Sequence, residues 1–156
     1  MNRFLPIAGA VAVFALALDS AAASQGHRTF AAGAPGDPKK PARIVEVSMK
    51  ETEDGKMLYE PSRIEVKRGE QVRFVLKNVG KVEHEFMLDS VANNAKHKIQ
   101  MEKNPDMEHD DPNGKRLVPG ASSEIVWRFT KAGTFEYACL IPGHYESGMH
   151  GTVVVK

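Results

Sequence analysis

The sequence predicts an all-β protein, because short segments with apolar residues at every second position recur between turn residues. The clearest segments are 45–49, 64–67, 72–77, 124–129 and 135–139. A period of two is that of a strand with one buried face, and Gly, Pro and Asn residues between such segments mark turns. We therefore expect an antiparallel β-sandwich or barrel with one solvated face.

Residues 90–120 depart from this alternation. They contain Asn93, Asn94 and two prolines among acidic residues, and the stretch 91–103 is predicted to form a short helix. Loops of this length inside a compact domain are uncommon and are often functional. We expect one long, partly helical insertion between strands.

The composition is that of one folded domain with additional terminal segments. The chain has 156 residues, of which 42% are hydrophobic and 26% charged, and its formal net charge is +1. No basic stripe or run of Lys and Arg is present, which argues against a nucleic-acid partner.

The N-terminal segment has the pattern of a secretory signal peptide. Its apolar run, residues 7–18, is shorter than the ~20 residues that span a bilayer. The following Ala21-Ala22-Ala23 fits the small-residue cleavage pattern. We expect residues 1–23 to be removed near Ala23, which indicates export to the periplasm of a bacterium and a mature protein without a membrane span. An uncleaved anchor is the alternative, and Asp19 makes it the less favoured one.

Residues 24–42 are rich in Ala, Gly and Pro and show no apolar periodicity. This composition is typical of a flexible tail. The folded domain is therefore expected over residues 43–156.

Cys139 is the single cysteine of the sequence. In an exported protein, a lone cysteine cannot form an internal disulfide. It is therefore a free thiol, an intermolecular bridge or a metal ligand.

The segment around Cys139 combines three residues that bind soft metals. Four residues separate Cys139 from His144 and four more separate His144 from Met149, in a loop rich in Gly. His84 lies far upstream, at the start of another predicted strand. A thiolate, two imidazoles and a thioether form the ligand set of an electron-transfer copper site.

Each of these candidate ligands, taken alone, also has another interpretation. A cysteine on an alternating strand is often a small buried hydrophobe, His144 could lie on a surface loop, and Met149 could fill the core. A site with two His and one Cys could also hold zinc. The methionine in the loop favours copper.

Segments 78–87 and 133–155 resemble the cupredoxin (plastocyanin/azurin) family of type 1 copper proteins, and 61–76 is similar to the early strands of that family. The resemblance covers residues 43–156. It implies a Greek-key antiparallel β-sandwich, the cupredoxin fold, with one copper ion, Cu(I) or Cu(II), per chain. It also implies these ligand roles: His84 the upstream imidazole, Cys139 the thiolate, His144 the exposed imidazole and Met149 the axial ligand.

In such proteins the exposed histidine is where electrons enter or leave. The resemblance therefore implies that a redox partner protein could dock near His144. The apolar neighbours that could form the docking patch are Leu140, Ile141, Pro142 and Tyr145.

Within the family, residues 105–113 resemble proteobacterial cupredoxins linked to copper tolerance. A second copper site could be formed by His97, Met101, Met107 and His109. His97 and Met101 are four residues apart and would share a helix face. In the alternative interpretation, the methionines pack the insertion on the core and the histidines are solvated. The helical spacing of the methionines favours this alternative. His150 and His27 are expected to take no essential part.

Two functions remain open: copper handling that gives copper tolerance, and a soluble shuttle that carries electrons between redox partners. The insertion favours copper tolerance, and the near-neutral charge offers no strongly charged docking surface for a shuttle. No phosphate-binding Gly loop, nucleophile elbow or paired His-x-His motif is present. The sequence therefore indicates a copper-binding redox protein and no enzyme.

Overall fold

The structure is a computed structural model that describes residues 30–105, 107 and 111–156. The predicted signal peptide 1–23, the first part of the predicted tail, His27 and His109 lie outside the described residues. No helix within the described ranges has the length and apolar character needed to cross a bilayer.

The described residues form ten strands and one helix. In chain order these are β1 (Ala34–Pro35), β2 (Arg43–Glu51), β3 (Met57–Glu60), β4 (Arg63–Val66), β5 (Gln71–Asn78), β6 (His84–Asp89), α1 (Val91–Lys103), β7 (Gly114–Leu117), β8 (Ser122–Arg128), β9 (Gly133–Ala138) and β10 (His150–Val155).

The strands form two five-stranded sheets, which confirms the predicted β-sandwich. One sheet has the order β1-β8-β5-β2-β3 and the other β4-β10-β9-β6-β7. The sheets are mixed rather than purely antiparallel, because β2 pairs in parallel with β5 and β4 with β10. Side chains alternate in the same way in parallel and antiparallel strands, so the sequence pattern did not distinguish the two pairings.

The apolar faces of the two sheets meet in one core. Strand β5 shows the predicted alternation, with Val72, Phe74 and Leu76 fully buried. Phe74 packs on Phe86 of the opposite sheet, with ring centroids 5.4 Å apart. Burial of these large side chains is the main favourable contribution to folding.

Residues 30–36 pack on β8, so the prediction of a flexible tail is wrong for this part. The ring of Phe30 lies 5.2 Å from that of Trp127, edge to face, and Ala32 is fully buried. The Trp127 Nε1–H donates to the Ala32 carbonyl at 3.3 Å. Strand β1 has two residues, too few to show a period, which is why the sequence pattern did not reveal it.

The insertion begins with α1, over the residues for which a helix was predicted. The Ser90 hydroxyl caps the helix by accepting a hydrogen bond from the Asn93 N–H, as serine at this position commonly does. After the helix, the chain returns as β7, which pairs with β6. Strand β7 of the insertion thereby covers the edge of β6, the strand that begins with His84. The insertion therefore lies beside the candidate site.

Candidate metal centre

Neighbouring strands place two of the predicted ligands. His84 begins β6, and Cys139 follows directly after the end of β9, the antiparallel neighbour of β6. His144 reaches the same point from the loop between β9 and β10. One ring nitrogen from each histidine and the Cys139 Sγ all lie within 4.8 Å of one another. The predicted His-Cys-His group is therefore assembled by the fold.

The loop from Cys139 to Met149 is closed by its own backbone. The Cys139 N–H donates to the Met149 carbonyl at 3.1 Å, and the Met149 N–H donates to the His144 carbonyl at 3.1 Å. Gly143 (φ 86°) and Gly148 (φ 98°) adopt left-handed backbone conformations that other residues rarely take. The two glycines therefore allow the loop to turn back towards Cys139.

Met149 is fully buried and belongs to the same core cluster as Cys139. The backbone bond between these two residues holds them side by side. Its role as an axial ligand stays a prediction from the sequence, because a buried methionine in such a position also packs the core.

The sulfur of Cys139 lies in a buried and weakly polar environment. The Glu85 N–H donates to the Sγ at 3.3 Å, and the His144 Nδ1 also lies 3.3 Å from it. Burial raises the pKa of the Cys139 thiol to about 12. Since a metal binds the thiolate, metal binding at this sulfur must release a proton.

The two imidazoles differ in their surroundings. His84 is fully buried, and its Nε2 lies 2.6 Å from the Glu51 Oε1. Its Nδ1 is buried without a hydrogen-bond partner among the described residues. His144 is half-buried, and burial, followed by the neighbouring His84, lowers its pKa. Both effects keep the imidazole of His144 neutral, which is the form that binds metals.

These observations fit a bound metal ion. An unpartnered buried nitrogen costs free energy, and a metal ion is one partner that would satisfy it. The donors available are one thiol and two imidazoles, which suit copper and zinc.

Comparison with known proteins distinguishes between these metals. The model of the copper-binding protein family of plastocyanin and azurin matches residues 45–156. The chain belongs to the plastocyanin/azurin family of copper-binding proteins. It therefore binds copper, one ion per chain, and the group formed by His84, Cys139 and His144 is available to hold it.

Two curated relatives and one solved structure refine the relationship. The chain is 53% identical to the copper-resistant cuproprotein CopI of Rubrivivax gelatinosus over 124 residues, 80% of this chain and 73% of the relative. It is 38% identical to the protein of the same name in Pseudomonas aeruginosa, over 99% of this chain and 98% of the relative. A structure of auracyanin B aligns with a TM-score of 0.64 at 25% identity, over 81% of this chain and 98% of auracyanin B.

Glu85 is a residue of this cupredoxin site that the sequence did not reveal. It is fully buried, and its Oε2 accepts a hydrogen bond from the Leu140 N–H at 3.2 Å. Its Oε1 has no partner among the described residues. Burial raises the pKa of Glu85 to about 7. The carboxyl group therefore fixes the chain directly after Cys139.

The helix of the insertion contacts the ligand loop through a group of polar residues. Glu136 accepts hydrogen bonds from Asn94 Nδ2 at 3.0 Å and from the Tyr145 hydroxyl at 2.9 Å. Lys98 forms an ion pair with Glu146 and lies 5.4 Å above the centre of the Tyr145 ring. We call these five residues the helix–loop network. It connects α1 to the segment that carries His144 and Met149.

The described residues of the predicted second copper site lie in different surroundings. Met101 is fully buried with Met87, Ala138 and Leu140, and Met107 packs against this cluster. His97 lines a cavity of about 310 Å³ beside Met87 and Asn94. Within the described ranges, His97 belongs to no group of three His, Cys, Asp or Glu side chains with converging ligand atoms. The arrangement of Met101 and Met107 agrees with the packing interpretation.

The predicted docking patch is only partly exposed. Leu140 is fully buried against Met101, so its assignment to the patch is wrong. Ile141 is half-buried against the main core, and Pro142 is exposed. His150 is exposed, whereas the preceding Met149 is buried. The ring of His150 stacks on that of Tyr145, with the ring centroids 4.9 Å apart.

Proposed function

We propose that this protein is a type 1 copper protein in which His84, Cys139, His144 and Met149 hold one copper ion and which serves copper tolerance. The observation that carries the proposal is the convergence of the two ring nitrogens and the Cys139 Sγ within 4.8 Å. Family membership supports copper as the metal. When bound, copper would supply one-electron chemistry between Cu(I) and Cu(II).

The protein's own residues prepare this site before the metal enters. The pairing of β6 with β9 brings the start of β6, at His84, close to the residue that follows β9, Cys139, and a backbone hydrogen bond holds Met149 beside Cys139. The thiol of Cys139 gives up its proton on binding. A ligand set that is fixed in advance changes little between oxidation states, which favours rapid electron transfer.

The names of the relatives support a role in copper resistance. Two curated relatives, at 53% and 38% identity, are called copper-resistant cuproproteins. We propose that the chain protects by binding copper, and that a change between Cu(I) and Cu(II) passes one electron to or from a redox partner protein, without catalytic turnover of its own. Multicopper oxidases need paired His-x-His motifs, and the sequence contains none.

The signal-peptide pattern of residues 1–23 supports a protein that meets copper outside the cytoplasm. We propose that residues 1–23 direct export to the periplasm and are removed near Ala23. N-terminal sequencing of the protein from a periplasmic extract tests this. A first residue near Ser24 supports export, and a start at Met1 contradicts it.

A growth experiment tests the proposed role. A strain that lacks the gene should grow more poorly on copper, and the wild-type gene should restore growth. The Cys139→Ser variant, expressed to the same level by immunoblot, should fail to restore it, because the serine oxygen cannot replace the thiolate. Normal copper tolerance with a loss of respiration or photosynthesis would contradict the proposal and favour an electron shuttle.

A further inference from the structure

Glu51 connects the end of β2 to His84. Its Oε1 lies 2.6 Å from the Nε2 of His84, a contact between residues 33 positions apart in the chain. Glu51 also accepts hydrogen bonds from the Lys81 N–H at 2.8 Å and the Val82 N–H at 3.2 Å. Two backbone donors and the His84 ring therefore hold the carboxylate in one position.

The loop before His84 closes tightly over this carboxylate. A Cβ atom on Gly80 would lie 2.6 and 2.7 Å from the two Glu51 oxygens, closer than real Cβ contacts allow. A side chain at position 80 would have to displace the carboxylate from this position. The close approach of the loop to Glu51 therefore depends on Gly80.

We propose that Glu51 is a positioning residue that fixes the tautomer and orientation of His84 for metal binding, an inference that rests on the proposed copper site. An ionised carboxylate only accepts hydrogen bonds, so the Nε2 that faces it must carry the proton. A neutral imidazole has one N–H, and the lone pair then lies on Nδ1. That Nδ1 is the buried nitrogen without a hydrogen-bond partner among the described residues.

The same contact affects the metal itself. A carboxylate that accepts the second N–H of a ligating histidine makes the imidazole a stronger donor, and loss of such a partner typically lowers metal affinity 10–100-fold. The added negative charge favours Cu(II) over Cu(I). If removing it weakens Cu(II) binding tenfold more than Cu(I) binding, the reduction potential rises by about 59 mV for this one-electron couple.

The first test uses the metal-free protein and NMR of the histidine ring nitrogens. Wild-type His84 should show a single tautomer protonated at Nε2, and Glu51→Ala should lose this preference. Glu51→Gln should keep the preference, because the amide oxygen can still accept from Nε2. Glu53→Gln is the matched control, since Glu53 is exposed in the adjoining turn, and it should behave as the wild type. An unchanged Nε2 tautomer in Glu51→Ala overturns the proposal.

The second test uses the copper-loaded protein and serves also if Glu51→Ala does not fold. Glu51→Gln should raise the reduction potential more than Glu53→Gln, because only Glu51 contacts a ligand. Equal shifts in the two variants overturn the proposal even if copper binds normally. A wild-type protein that binds no copper would instead refute the proposed function, and the tautomer result in the metal-free protein would still stand.

Discussion

Replacing Tyr145 by Phe removes one hydroxyl from the helix–loop network and leaves the aromatic ring in place. That hydroxyl donates to the Glu136 Oε1 at 2.9 Å, and the other Glu136 oxygen is held by Asn94. Burial and the hydrogen bond to Glu136 raise the pKa of Tyr145 to about 12, so the hydroxyl is protonated at neutral pH.

The magnitude follows from the burial of the acceptor. Glu136 is only 7% exposed, so water cannot readily replace the lost donor. A hydrogen bond to a charged group contributes about 1.5–3 kcal/mol, and we expect Tyr145→Phe to lower the free energy of unfolding of the metal-free protein by that amount. The measurement is urea unfolding at pH 7, with the slope m unchanged.

A double-mutant cycle isolates the contact. Tyr145→Phe and Glu136→Gln are each made alone and then together, and the coupling free energy is taken from the four stabilities. Residues in one hydrogen-bond network typically couple by about 0.5–3 kcal/mol. A coupling free energy indistinguishable from zero, or a loss of stability below ~0.5 kcal/mol for Tyr145→Phe, would refute a stabilising hydrogen bond between Tyr145 and Glu136.

Two further predictions concern buried groups beside the site. Met101→Leu should cost less than about 1.5 kcal/mol in urea unfolding and keep one copper per chain, whereas Met101→Ala should cost about 2–5 kcal/mol, because Met101 packs the insertion. A copper titration in which Met101→Leu binds fewer ions than the wild type would contradict this. Since the pKa of Glu85 is raised from 4.5 to about 7 in the folded state, that state binds its proton more tightly than the unfolded chain does. The stability that this tighter proton binding contributes is fully present below pH 4.5 and is lost as the pH rises through 7. The free energy of unfolding of the metal-free wild type should therefore fall by about 2–3 kcal/mol relative to that of Glu85→Gln between pH 5 and pH 8. If the unfolding free energies of the wild type and Glu85→Gln, measured in urea, change with pH in parallel, the raised pKa of Glu85 is contradicted.

The sequence predicted the sandwich and α1 because both depend on local periodicity. Alternation in 72–77 follows from one buried face, and the helix over 91–103 needs only a few neighbouring turns. Alternation carries no information on strand direction, so the parallel pairing of β2 with β5 did not follow from it. Residues 30–36 were misjudged because their packing on Trp127 depends on two apolar side chains without a period.

The candidate site was predictable where its residues lie in one loop. Cys139, His144 and Met149 have a fixed spacing, and His84 stood out at the start of a strand. Leu140 was misplaced because the alternation ends at Cys139, and the next side chain turns inward onto Met101. Glu51 and Glu85 gave no signal, because a carboxylate beside a ligand is recognised only when the fold brings the two together.

The proposed copper site includes Cys139 and the two histidines. X-ray absorption at the copper edge of the protein loaded with one equivalent of copper tests this directly. We predict one short copper–sulfur bond and two copper–nitrogen bonds, with the short sulfur bond lost in Cys139→Ser while the metal-free variant stays folded. A copper environment of nitrogen and oxygen alone in the wild-type protein would contradict it.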